Sequence, residues 1–135
     1  MPIGPTHDQI QALVDSPLDT PVVMLNLLKF SDRSSDGGDR ARSGRDSYER
    51  YGERVRSMLE ETGARVLFQG RADSIVIGDD ADDWDAVILV EYPSRQAFLE
   101  MTSSPQYREV SKDRTAGLTD SRLIAMTEVY RRTEP

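Results

Sequence analysis

The chain has no cysteine and a single histidine, His7. The first absence excludes disulfides, thiolate metal sites and a cysteine nucleophile; the second excludes any metal cluster built from histidines. No run approaches the roughly 18 apolar residues of a membrane span. The opening MPIGPTHDQIQ has neither the basic start nor the apolar stretch of a secretory signal, so a cytoplasmic protein without membrane attachment is expected. Basic charge is scarce too: 17 basic against 24 acidic residues leave a net charge of −7, without the electrostatic footprint of a nucleic-acid binder. GxGxxG, GxxxxGK, HExxH and GxSxG are all missing, which argues against nucleotide-driven chemistry, zinc hydrolysis and α/β-hydrolase chemistry.

What remains is a lean globular chain of 135 residues, the size of one domain. Its apolar content is diluted by Ser31–Asp46, where one apolar residue, Ala41, stands among four Asp and four Arg. A solvated loop is expected there, either disordered or a functional lid. Before it, Thr6–Asp15 reads as a short helix with a Thr6/Gln9 capping box, and VVMLNLLKF (Val22–Phe30) as a strand apolar on both faces. After it come a helix over Ser47–Thr62 capped by Asp46 and closed by Gly63, and an extended Arg65–Ile77 broken near Gly70, where a bulge or a close approach is expected. A strand over Trp84–Tyr92, a helix capped by Ser94, another opened by Ser104-Pro105 and ended by Gly117, and a last strand over Ser121–Arg131 complete the order.

After the first helix the order is β-α-β-β-α-β, the split βαβ of a ferredoxin-like α+β fold: four antiparallel strands with two helices on one face. Residues 1–21 then form a helical extension and residues 22–135 the domain. Two helices leave one sheet face uncovered, yet the first and third strands are apolar on both sides. A monomer rarely exposes such a surface, so a second copy is expected to cover it, the two sheets forming a barrel at the interface. The other cover available is the long loop or the N-terminal helix.

VVMLNLLKF, the Tyr48-x-x-Tyr51 helix, Trp84-Asp85, EYPSRQAFLEM (Glu91 to Met101), SPQY (Ser104 to Tyr107) and RTAGLTDSRLI (Arg114 to Ile124) together resemble the domain of unknown function 1330 family, of the dimeric α/β-barrel superfamily. The resemblance runs from about Val22 to Ile124 and implies the fold and the dimer, but no reaction. Where many relatives carry a histidine before the arginine, this chain has Asp113. In the wider superfamily a strand asparagine near the N-terminus orients a bound ligand; that is analogy for Asn26.

Asn26 is the only asparagine and sits mid-strand among apolar residues. A buried amide there either satisfies backbone groups or forms the polar floor of an apolar pocket. Tyr48, Tyr51, Trp84 and Tyr107 either pack the core or line that pocket for an aromatic or polycyclic ligand. Arg114, two helical turns from Tyr107, is expected beside its phenol, where the pair would stabilise an enolate or carboxylate; Arg95 is a second anion clamp. Ser94 is a helix cap, since no base lies near it in sequence. The acidic run Asp79–Asp85 fails the calcium-loop template, because the positions for a polar ligand and glycine hold Trp84 and Asp85. Three functions follow. The first is a cofactor-independent monooxygenase, isomerase or cyclase acting on a small aromatic or polyketide-like molecule through Asn26, Tyr48, Tyr51, Trp84, Tyr107 and Arg114. The second is a non-catalytic homodimeric binding protein using the same pocket. The third is a heme protein, whose one possible histidine ligand, His7, precedes the fold. No metal site and no cofactor is expected otherwise.

Overall fold

The computed structural model describes residues 3–32 and 43–132, so most of the polar Ser31–Asp46 stretch lies outside the described residues. Helix α1 (His7–Val14) starts at the expected reciprocal cap: Thr6 Oγ1 accepts from Gln9 N at 3.1 Å and Thr6 N donates to Gln9 Oε1 at 2.9 Å. Strand β1 (Val22–Phe30) follows, then α2 (Gly44–Thr62), β2 (Arg65–Arg71), a 3-10 turn at Asp80–Asp82, β3 (Ala86–Tyr92), α3 (Arg95–Thr102), α4 (Pro105–Gly117) and β4 (Leu118–Met126). The strands form one antiparallel sheet in the order β2-β3-β1-β4, with the two most apolar strands at the centre. This is the ferredoxin-like α+β arrangement, with α1 added in front.

Several boundaries differ from the sequence expectation. Helix α2 begins earlier: Ser43, not Asp46, caps it, its Oγ accepting from Asp46 N at 3.1 Å. Strand β3 starts at Ala86, because Trp84 belongs to the turn (Trp84 N donates to Asp82 O) and Asp85 closes the strand end by accepting from Phe30 N at 2.8 Å. Strand β4 begins at Leu118, directly off Gly117, and ends at Met126. The second strand stops at Arg71; Val76 and Ile77 are 90% and 95% exposed and pair with nothing in the sheet. Of the two expectations at Gly70 the close approach is the one found there, the Phe68 ring lying 2.8 Å from where a β-carbon would be; the register shift falls earlier, between Val66 and Phe68, and Gly70 pairs regularly with Val87.

The helix-facing sheet residues are Val22, Met24, Asn26, Leu28 and Phe30 on β1, with Ile88, Val90 and Tyr92 on β3 and Ser121 and Leu123 on β4 opposite them in register. Their packed core lies at one end, where Val22, Met24, Val90, Tyr92, Phe98 and Met101 cluster and the rings of Tyr92 and Phe98 meet edge-on at 5.1 Å. At the other end α2 and α4 cross so closely that Gly44 and Gly117 have no room for a side chain: a β-carbon on Gly117 would collide with Gly44 O and come within 3.0 Å of Tyr48 N. Ser31 N donates to Gly117 O and Gly44 N to Ser31 O, tying this crossing to the end of β1. Between the two ends the helices stand off the sheet.

The opposite sheet face carries Val23, Leu25 and Leu27 of β1 beside Val87 and Leu89 of β3, with Phe68 of β2 and Ile124 of β4 flanking them. Helix α1 does not cover it, because Ile10 and Leu13 turn to the helix side of the sheet. Phe68 is 56% and Ile124 47% exposed.

Candidate functional site

The gap between sheet and helices is a cavity of about 1530 Å³ that opens to solvent. Asn26 lies on its floor. Its Nδ2 donates to Ile88 O at 3.1 Å and Met24 O at 3.4 Å, so the amide hydrogens bond backbone carbonyls and Oδ1 is left as the acceptor. Both sequence readings of Asn26 therefore meet in one side chain, since the structural bonds fix the amide's orientation on the floor of a cavity.

Tyr48 and Tyr51, one turn apart on α2, and Tyr107 on α4 line the same cavity. With Phe30 they form a ladder of tilted rings: Phe30 to Tyr48 at 5.6 Å, Tyr48 to Tyr51 at 5.3 Å, Tyr51 to Tyr107 at 6.1 Å. Arg45 caps it, its guanidinium 4.6 Å from the Phe30 ring centre. The hydroxyls of Tyr51 and Tyr107 share a hydrogen bond of 2.8 Å. Burial pushes the Tyr48 phenol up to about 12, with Arg114 pulling the other way. Burial and the neighbouring phenols hold Tyr51 well above its ordinary value. Near neutrality these groups are hydrogen-bond donors rather than bases.

Arg114 also lines the cavity, but its phenolic neighbour is Tyr48 and not Tyr107 as expected. Seven residues return to the same helix face but advance roughly 10 Å along the axis, and α2 brings Tyr48 alongside that stretch. Arg114 Nη1 donates to Ile3 O at 2.8 Å, and Nη2 lies 3.5 Å from Ser121 Oγ. Trp84 is a correction: it does not line the cavity, because it sits in the turn before β3 with the Arg122 guanidinium 5.1 Å from its ring centre. Arg95 reaches the rim but donates to Thr20 Oγ1 at 2.8 Å. Ser94 is the cap the sequence implies, accepting from Ala97 N at 3.0 Å. His7 opens α1, is exposed and does not line the cavity. Asp113 faces away from the cavity, ion-paired with Arg54 at 2.8 Å and Arg50 at 3.4 Å on α2. The acidic run forms an exposed turn in which Asp83 pairs with Lys29 at 2.7 Å. Sequence reasoning missed the N-terminal contribution: Ile3, Gly4, Pro5, Gln9, Ile10 and Leu13 all line the cavity. Only the capping box and the Ile10/Leu13 stripe hinted that this segment was ordered.

The domain of unknown function 1330 (DUF1330) family model matches residues 42–129. The chain belongs to this family. The RPA0582 protein of unknown function from Rhodopseudomonas palustris is 33% identical to this DUF1330 chain, with 96% of this chain and 98% of that one aligned at a TM-score of 0.87. Two distant solved structures share the fold. Hydroxynitrile lyase from Passiflora edulis is 12% identical, with a TM-score of 0.56 over 84% of this chain and 99% of that one. SnoaB, a cofactor-independent oxygenase from Streptomyces nogalater, is also 12% identical, with a TM-score of 0.53 over 85% and 99%. Comparison with curated proteins finds no match. Among the described residues no helix is long and apolar enough to cross a membrane.

Proposed function

We propose that this DUF1330 protein is a homodimer whose cavity takes a small aromatic or polyketide-like molecule and transforms it without a cofactor, by oxygenation, isomerisation or cyclisation of an enolised substrate. Residues 22–135 would be the barrel domain and residues 1–21 its helical extension, from which Ile3, Ile10 and Leu13 line the cavity. The observation that carries the reading is the set of polar groups gathered at the aromatic wall of the cavity: the phenols of Tyr48, Tyr51 and Tyr107, the Arg114 guanidinium and the Asn26 amide oxygen. Donors of this kind stabilise negative charge developing on a substrate oxygen, and they do so best where water is scarce. Flat rings 5–6 Å apart suit a flat guest. The apolar sheet face that no described helix covers supports the dimer. That the same fold serves a protein described as a cofactor-independent oxygenase and one described as a hydroxynitrile lyase supports a catalytic use of the cavity.

The test is turnover of a panel of aromatic acids and polyketide-like compounds by the purified protein, with products read by mass spectrometry. A product is expected from at least one compound. Arg114→Gln should lower kcat roughly 10²–10³-fold, the usual effect of removing one oxyanion donor, and Asn26→Ala should lower it as well. If compounds bind without ever giving product, and both variants change affinity alone, the protein is a binding module and the catalytic reading fails.

A further inference from the structure

Arg114 and Arg95 are the two half-buried arginines around the cavity, and Arg95 is held at its rim by the Thr20 hydroxyl. The lining contains seven arginines but only two carboxylates, Glu49 and Glu53, in a chain whose net charge is −7. Arg71 and Arg122 have carboxylate partners in Asp73 and Asp120. Half-buried Arg114 instead donates to an uncharged backbone oxygen, that of Ile3, which lies 111 residues away in sequence. The same oxygen accepts from Ser121 Oγ at 3.2 Å. Ile3 O therefore occupies a cradle of two donors from α4 and β4, with the Tyr48 phenol close by. A planar guanidinium matches a carboxylate better than a lone carbonyl, and a hydrogen bond between ionised partners is roughly twice as strong as a neutral one.

We propose that the cavity selects organic acids: a guest's carboxylate takes the place of the Ile3 carbonyl on Arg114 and Ser121, while its ring system lies along the Tyr48–Tyr51–Tyr107 wall. This rests on reading the cavity as a small-molecule pocket and adds the chemical class of the guest. The segment of residues 3–5, which carries that carbonyl, is then a latch. It satisfies the guanidinium when the cavity is empty and yields it to the acid on binding.

Isothermal titration of the full-length protein with 2-naphthoate, its neutral isostere 2-naphthamide, and inorganic phosphate tests the proposal. Naphthoate should bind about tenfold or more tightly than naphthamide, the margin expected when one charge-assisted pair replaces a neutral contact. Arg114→Gln should erase that margin by weakening naphthoate far more than naphthamide. Tyr48→Phe, which keeps the ring and thus guards against a folding defect at Arg114, should narrow the margin. The Gly4 amide nitrogen, bonded to the Ile3 carbonyl carbon, should shift in the NMR spectrum as naphthoate saturates and stay put with naphthamide. Equal affinity for the two naphthalenes overturns the selection of acids and leaves the pocket reading standing. Phosphate binding as tightly as naphthoate also overturns it, since the site would then read charge alone. Failure of both naphthalenes to bind sinks the pocket reading and the inference with it.

Discussion

Replacing Phe68 and Ile124 by aspartate should turn the protein into a monomer of 15.2 kDa. Both side chains lie on the sheet face away from the helices and are about half exposed, at 56% and 47%. Fully burying a large apolar side chain contributes about 1.5–3 kcal/mol, so the half still to be buried contributes roughly 0.7–1.7 kcal/mol for each. A two-fold interface uses each residue twice. The two positions together then supply about 3–6 kcal/mol, or two to four orders of magnitude in the dimer dissociation constant. Aspartate removes that contribution and adds the desolvation of a carboxylate, so the estimate is a lower bound. Sedimentation velocity at micromolar concentration reads the outcome: a dimer for the natural chain, a monomer with an unchanged circular dichroism spectrum for the double variant. A natural chain sedimenting as a monomer at that concentration would refute the reasoning. So would a double variant that remains dimeric, because the contact would then lie elsewhere.

Gly117→Ala should destabilise the fold by about 1–3 kcal/mol, the usual cost of overpacking, since the new β-carbon meets backbone atoms of α2 that cannot step aside; the urea midpoint checks it. Tyr48 supplies an alkaline signature. Its folded-state phenol is raised from 10 to about 12, so the stability it contributes is intact below pH 10 and is lost as pH rises towards 12. Tyrosinate absorbance should contain a late-titrating phase, to which Tyr51 and Tyr92 also contribute, and Tyr48→Phe should shrink it by one phenol.

Legibility followed the range of the interaction that decides each feature. The Thr6/Gln9 box, the Ser94 and Ser104 caps and the Gly63 helix end depend on neighbours within a few residues, and the residue types alone reveal them. β1 was legible because nine residues with apolar side chains on both faces have few alternatives. The start of β4 was not, because it is set by pairing with Phe30 across the sheet rather than by anything in Leu118–Asp120. Trp84 looked like a strand residue by alternation, and the 3-10 turn that removes it depends on the hydrogen bond from Trp84 to Asp82 and the reach of Asp85 to Phe30. At the site, Asn26, Tyr48, Tyr51, Tyr107 and Arg114 were identifiable as polar or aromatic groups on core-facing stripes. Their partners were not. Tyr51 with Tyr107, and Arg114 with Ile3, are contacts between segments that only the assembled layers bring together.

Asp113 and Arg114 are consecutive, and a helix turns about 100° between consecutive residues. That single step separates two roles: Asp113 meets Arg50 and Arg54 on the α2 seam, while Arg114 enters the cavity. Position 113 therefore joins helices in this chain, and Asp113→His makes the distinction measurable. The substitution removes a buried carboxylate from two guanidiniums, at a cost of about 1.5–3 kcal/mol for the charged hydrogen bond to Arg54. The two arginines would also hold the new imidazole below its ordinary value of about 6.5. Since the unfolded chain would then bind the proton more readily, the variant's stability should decline further as pH falls through 6.5. Urea unfolding between pH 5 and 8 should reveal that slope in the variant and its absence in the natural chain. Ligand affinity should stay the same in both, because the new imidazole faces α2. A variant that keeps its stability but changes what the cavity binds would place position 113 in the site after all.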